Sequence, residues 1–351
     1  MKKLDLLDEI LINFFERVPD TLGIVICDKN AEIIHSKIVS GKVKNSGDGH
    51  DKESHSIGSN AERKEGKIDE KKLSKFNTEI KPFLAKMQDQ FSSQKKYGSS
   101  VIDTNDFRLL NILADTYVYT FVLDIFASLS TTYPYVYLAV EKMHQVIDEG
   151  KVPQTKIPRL GNIRGEPLDE PIQGKNDEWS IKYILLGEPS VGKTSVVNRF
   201  VHKTFETDYR PTIGLNVMTH NYEFYGHKIK MNIYDIGSQK LFRRVRPNYY
   251  SGANIAIFVF SLDKPETLQA LPKWYKEMTR FVGDEIPMLI VGNKSDLTHT
   301  VSFSEGESFA KKFNCSYIET SALEGANIED AFSLISYIHI EKYKKQFVQE
   351  E

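Results

Sequence analysis

Gly187-Glu188-Pro189-Ser190-Val191-Gly192-Lys193-Thr194 fits the pattern G-x-x-x-x-G-K-[ST]. An apolar run, Tyr183-Ile184-Leu185-Leu186, enters it, and Ser195-Val196-Val197-Asn198-Arg199-Phe200 leaves it with helix-compatible residues. The spacing predicts a strand feeding a glycine-rich turn into a helix N-terminus. Such a turn aims backbone N–H groups and the helix dipole at one point, where a polyphosphate sits. Lys193 adds a point charge for the terminal phosphates, and the Thr194 hydroxyl is a hard oxygen suited to Mg2+. A short pattern of this kind also occurs by chance in polar turns, so the rest of the chain has to decide.

Asn293-Lys294-Ser295-Asp296 follows an apolar strand, Met288-Leu289-Ile290-Val291, and has the N-K-x-D form that reads guanine. Asp296 can accept from the guanine N1–H and exocyclic amine, an edge adenine does not present, and the Lys294 stem can lie over the base. Glu319-Thr320-Ser321-Ala322 resembles the E-x-S-A loop whose backbone N–H groups contact the guanine carbonyl. With these motifs in order, the chain from about Trp179 to about Lys345 resembles a Ras-superfamily small GTPase of the Rab/Arf kind.

That resemblance implies a set of roles. Gly187, Ser190, Val191, Gly192, Lys193, Thr194 and Ser195 would cradle the phosphates of GTP or GDP, and Asn293, Lys294, Asp296, Ser321 and Ala322 would hold the base. The segment from Phe205 to Gly214 resembles switch I, with Phe205 stacking on guanine, Tyr209 covering the phosphates and Thr212 ligating Mg2+. Asp235-Ile236-Gly237-Ser238-Gln239 resembles switch II. Asp235 would hold Mg2+ through water, Gln239 would orient the attacking water, and Lys193 would stabilise developing charge.

Two departures carry weight. The family pattern D-x-x-G expects glycine where this chain has Ser238, with Gly237 one place early. Serine adopts positive φ less readily, which puts the switch transition in question. Pro189 has no N–H, so the cradle draws its donors from Ser190 through Thr194. Both point to slow hydrolysis. The main reading is therefore a GTP-binding switch with Mg2+-dependent hydrolysis. Its rivals are a weakly hydrolysing GTP-binding scaffold that recruits protein partners, and a P-loop ATPase in which the N-K-x-D match is coincidental.

The bulk properties narrow the setting. At 351 residues and net charge −2 the chain accommodates two domains and offers no global electrostatic case for nucleic acid. Cys27 and Cys315 are too few and too far apart for a disulfide framework, which suits buried thiols in a reducing cytoplasm. No apolar run approaches a membrane span, and neither Lys2 nor the end Gln349-Glu350-Glu351 offers a lipidation signal, so no membrane anchor is expected.

Residues 1–150 read as a separate α+β domain. Leu7, Leu11, Phe14 and Val18 recur at helical spacing, followed by β-rich runs at Leu22–Cys27 and Ile33–Ile38 around the turn Asp28-Lys29-Asn30-Ala31. Residues 41–67 are polar and predicted to be a disordered loop. A helix carrying Phe76, Ile80, Phe83, Leu84 and Met87 comes next, then three strands between Ser99 and Ala127, then a closing helix from Pro134 to Ile147. This order resembles the Roadblock and longin families, whose small domains pack a five-stranded antiparallel sheet against helices; profilin-like, GAF and PAS sheets have related layouts. His35, His50 and His55 are expected to be exposed rather than metal-bound.

Residues 151–177 hold four prolines and three glycines and read as a semi-extended linker. Residues 178–345 form the G domain, a doubly wound, mostly parallel α/β sheet, and 346–351 form a tail. Expected partners are guanine nucleotide, protein effectors and regulators, and a second copy of the chain through the N-terminal domain. That domain is expected to regulate the switch in cis or to bind a third protein.

Overall fold

The structure, a computed structural model, describes residues 3–28, 30, 32–39, 97–104, 107–168, 178–205, 212, 214–238 and 245–349. The expected loop at 41–67 and helix around Phe76–Met87 lie outside these residues, as do 169–177 and the end of the tail.

Helix α1 (Lys3–Arg17) buries Leu6, Leu7, Ile10, Leu11, Phe14 and Phe15, the apolar stripe that its three- and four-residue spacing predicts. Asp5 in its first turn and Arg17 in its last complement the helix dipole. Strands β1 (Thr21–Cys27), β2 (Ile33–Ile38), β3 (Tyr97–Asp103), β4 (Phe107–Ala114) and β5 (Tyr117–Asp124) make one sheet in the order β2-β1-β5-β4-β3, antiparallel throughout. The turn between β1 and β2 forms because Asp28 Oδ1 accepts from the N–H groups of Asn30 (2.8 Å) and Glu32 (2.9 Å). His35 is not exposed as expected: it is largely covered, and its Nε2 lies 3.1 Å from Asp8 Oδ1.

Helix α2 (Leu129–Ile147) begins before Pro134, where the sequence placed its start. Proline inside a helix leaves the carbonyl four residues back without its donor. Here that carbonyl belongs to Ser130, and Gly165 N donates to it from a distant segment (2.8 Å). The helix thus continues through a proline because the tertiary fold supplies the missing bond.

The second sheet has seven strands: β6 (Leu160–Gly161), β7 (Glu178–Leu186), β8 (Leu215–Phe224), β9 (His227–Ile236), β10 (Ile255–Ser261), β11 (Met288–Asn293) and β12 (Ser316–Thr320). Their order is β6-β12-β11-β10-β7-β9-β8. The five central strands run parallel, and β6 and β8 are antiparallel edges. Every residue of β10 and β11 is buried, as expected for strands covered on both faces. Helices α3 (Lys193–His202), α4 (Pro247–Tyr250), α5 (Pro265–Gln269), α6 (Leu271–Val282), α7 (Phe303–Lys312) and α8 (Ile328–Gln349) complete this half. The mostly parallel α/β sheet expected from the sequence is present.

Residues 151–168 do not hang between the two sheets as a semi-extended linker. Ile157, Leu160, Ile163 and Leu168 are buried, and β6 adds to the edge of β12. Tyr135 Oη accepts from Leu160 N (3.0 Å), Tyr137 Oη accepts from Leu168 N (2.7 Å) and Tyr337 Oη donates to Glu166 O (2.5 Å). Proline and glycine signalled irregular backbone correctly, but the aliphatic residues between them have a surface to bury against.

One apolar core therefore runs from α1 and the antiparallel sheet through α2 to α8 and β7. At its centre the β8–β9 turn enters the N-terminal half. Tyr225 packs on Tyr97 (centroids 5.0 Å) and Tyr137 (4.9 Å). Its hydroxyl accepts from Gly98 N (3.2 Å) and lies 2.8 Å from the carbonyl oxygens of Gly98 and Leu113. Gly226 (φ +75°) has no room for a side chain, since a Cβ would meet the Tyr97 ring at 2.4 Å. Beside this plug, Lys142 Nζ and Asp330 Oδ1 form a buried ion pair at 2.9 Å.

Candidate nucleotide-binding site

The parallel strands β7, β9, β11 and β12 end on one edge of the sheet. Each delivers one motif there: Gly187 after β7, Asp235 at the end of β9, Asn293 closing β11 and Ser321 after β12. Carboxyl ends of parallel strands are where open α/β sheets bind ligands.

The 187–194 loop is held in shape by two glycines. Gly187 (φ +145°) lies so close to β10 that a Cβ would stand 2.1 Å from Val259 O. Gly192 (φ +94°) caps α3, and a Cβ there would stand 2.3 Å from Asn293 Nδ2. Ser190, after Pro189, also adopts a left-handed conformation (φ +63°), which costs a non-glycine residue about 1–2 kcal/mol. Val191 is buried, and Ser195 sits half-buried in the first turn of α3. The Lys193 ammonium is buried and donates to the carbonyls of Gly187 and Glu188, both at 3.0 Å. Burial lowers its pKa to about 8; Asp235 and Glu188 oppose that shift, and the charge of Arg246 adds to it.

Three oxygen donors meet beside it. Thr194 Oγ1 lies 2.7 Å from Thr212 Oγ1 and donates to Asp235 Oδ2 (2.5 Å), and Thr212 Oγ1 lies 3.3 Å from the same oxygen. Asp235 is fully buried, and burial raises its pKa against the hydroxyls and Lys193. Its second oxygen, Oδ1, has no hydrogen-bond partner. A buried carboxylate oxygen left unpaired next to two hydroxyls is a hard-oxygen set that fits Mg2+. Among the described residues no group of three or more His, Cys, Asp or Glu is arranged for a metal.

On the base side, Asp296 Oδ1 accepts from Ser321 Oγ (2.5 Å), which in turn accepts from Glu324 N (3.0 Å). Lys294 (φ +69°) reaches Asp263 Oδ1 at 3.9 Å. Asn293 is buried with its amide engaged at both ends. Nδ2 donates to Val191 O (2.9 Å), and Oδ1 accepts from Thr320 Oγ1 and Ala322 N (both 3.2 Å). Asn293 thus ties the base loop to the phosphate loop. Phe205 is half-buried against the core, while Tyr209 and Gln239 lie outside the described residues.

Three features escaped the sequence reading. Arg199 on α3 donates to the carbonyls of Ala322 (Nε, 2.8 Å) and Leu323 (Nη2), fixing the base loop from behind. Glu188 inside the phosphate loop accepts from the Trp274 indole (2.9 Å); a carboxylate in a loop meant for anions was its only signal. Gly237, one place early against the family pattern, is needed where it stands. Its N–H donates to Gly214 O (2.8 Å), and a Cβ would meet Gly214 O at 2.8 Å and Thr212 O at 2.9 Å.

This fold and this loop define a P-loop nucleotide-binding protein. The family model for the Ras family matches residues 182–340. The chain is similar to the Ras-related protein RABA2a of Arabidopsis thaliana, 34% identical over 160 residues, 45% of this chain and 74% of the relative. It is also similar to the Ras-related protein Rab11E of Lotus japonicus (35% over 158 residues, 44% and 72%). A third relative is the GTP-binding protein ypt3 of Schizosaccharomyces pombe (34% over 160 residues, 45% and 75%). The chain belongs to the Ras family.

Proposed function

We propose that the protein is a GTP-binding switch that hydrolyses GTP and is governed in cis by its N-terminal half. The observation that carries the reading is the meeting of Lys193, Thr194, Thr212 and Asp235 at one helix N-terminus, with Asp296 and Ser321 on the same sheet edge. Lys193 and the N–H groups of Ser190 through Thr194 hold the phosphates. Thr194, Thr212 and Asp235 hold Mg2+, which when bound neutralises charge on the terminal phosphates. Asp296 reads the guanine edge, Lys294 and Phe205 cover the base, Tyr209 covers the phosphates and Gln239 aims the water.

The cis control rests on the β8–β9 hairpin. Its strands leave Thr212 and return to Asp235, so they join the two switch segments, and its tip is held by Gly98, Leu113 and Tyr137. Any shift of the hairpin has to break that plug. The sheet order of the N-terminal half favours a Roadblock- or longin-like domain, which also offers a surface to effectors, regulators or a second copy. The two buried, unpaired thiols favour the cytoplasm. A weakly hydrolysing scaffold is the second reading, favoured by Ser238 and by the constrained Pro189-Ser190 step.

Titration with GDP, GTP and ATP, followed by single-turnover hydrolysis with and without Mg2+, tests these readings. Selective guanine binding with Mg2+-dependent turnover is expected. Binding without turnover favours the scaffold, and equal affinity for ATP sinks the guanine assignment.

A further inference from the structure

Arg199 lies in the last turn of α3, the helix that grows out of the phosphate loop. Its guanidinium donates to three backbone carbonyls: Nε to Ala322 O (2.8 Å), Nη2 to Leu323 O and Nη1 to Lys203 O (3.1 Å). The first two belong to the base loop. A trans peptide unit is planar, so its N–H points away from its own C=O. With the carbonyls of Ala322 and Leu323 turned toward Arg199, the N–H groups of Leu323 and Glu324 point the other way. The Glu324 N–H donates to Ser321 Oγ (3.0 Å), and Ser321 Oγ donates to Asp296 Oδ1 (2.5 Å). One guanidinium is thus connected through two peptide units to the carboxylate assigned to the guanine edge. Arg199 also lines a cavity of about 230 Å3, together with Leu138 and Lys142 of α2 and Asp330 of α8.

We propose that Arg199 is a positioning residue for guanine: it braces the base loop from behind, aims the Leu323 N–H at the carbonyl edge of the base and holds Ser321 where it orients Asp296. A donor for the base carbonyl and an acceptor for its N1–H then depend on the same side chain. Arginine suits the task because its planar fork reaches two adjacent carbonyls at once, whereas lysine is a point charge on a single nitrogen. A loop that is not held in the binding geometry has to be ordered each time nucleotide binds, which weakens affinity. The cavity beside Arg199 is roomy and lined by charged groups, so water can reach the two carbonyls when the guanidinium is removed. Loss of the brace therefore loosens the loop without stranding buried carbonyls. The inference rests on the reading of the site as one for guanine nucleotides.

The test uses the full chain with Mg2+. Wild type, Arg199→Lys and Arg199→Gln are compared in titrations with GDP and with ADP, and in denaturant unfolding. ADP carries the same ribose and phosphates and lacks the 6-oxo group and the N1–H. In Arg199→Lys, GDP affinity is expected to fall by about tenfold to a hundredfold, the worth of a hydrogen bond to a charged group, chiefly through faster dissociation. ADP affinity is expected to stay at the wild-type level, so the preference for GDP over ADP falls by the same factor. A general loosening of the fold would not move that ratio. Arg199→Gln removes the charge, keeps a planar donor and is expected to lose at least as much; it carries the comparison if the lysine variant unfolds. Wild-type GDP affinity in the variants overturns the brace, and so does an equal loss for GDP and ADP. Loss of the fold in both variants overturns it too, because a brace at a cavity wall is dispensable for folding. A wild-type chain that does not prefer GDP over ADP overturns the underlying guanine reading instead.

Discussion

At the scale of single residues the site is built from groups whose partners are already chosen. Asp296 Oδ1 accepts from Ser321 Oγ, and in the proposed reading its carboxylate meets the guanine edge. Asp296→Asn places a donor against the guanine N1–H, and a mispaired buried polar group costs about 1–3 kcal/mol. GDP affinity in a titration is expected to fall by that amount, with preference moving toward xanthine nucleotides, whose 2-oxo group accepts from the new amide. Unchanged GDP affinity refutes the role. The placing of Lys193 and Thr194 was legible because backbone geometry forces the loop before them: Gly187 and Gly192 must stand where only glycine fits. Arg199 and Trp274 were not legible. Their roles come from long-range meetings that no local spacing encodes.

At the scale of elements helix α1 and the five strands of the antiparallel half were readable from period and turn chemistry, whereas the start of α2 and strand β6 were not. The start of α2 depends on Gly165 and the pairing of β6 on Tyr317 and Ile318, both far away in sequence. The same helix carries a pH-sensitive face. Burial pushes the Glu141 carboxyl from 4.5 up to about 7; Glu149 and Glu329 push the same way, against hydrogen bonds from Gln145 and the Tyr225 backbone. A raised folded-state pKa gives stability that is complete below the ordinary value and lost as pH rises. This contribution is therefore full below 4.5 and gone above about 7. Glu141→Gln is expected to flatten the stability profile across that window and to leave the variant more stable than the parent above it, as read by denaturant unfolding. Parallel profiles for the two proteins refute the assignment.

At the scale of the whole molecule the two sheets share one core, which sets how the protein opens. Phe14 of α1, Tyr137 of α2, Tyr225 of the hairpin and Tyr337 of α8 belong to one buried cluster. Burying such side chains stabilises the fold by about 1.5–3 kcal/mol each. Breaking the Lys142–Asp330 pair alone would cost about 3–5 kcal/mol by leaving a charge buried and unpaired. Separating the halves thus exposes that shared core, so global opening should be one cooperative event. Ligand that binds only the folded state stabilises by RT ln(1 + [L]/Kd), about 2.7 kcal/mol at a hundredfold excess over Kd. GDP at that excess is expected to raise the hydrogen-exchange protection of β1 and β5 amides by the same amount as those of β10 and β11, although the antiparallel sheet holds none of the residues assigned to the nucleotide. Protection gained in the seven-stranded sheet alone would show two independently unfolding halves and remove the basis for control in cis.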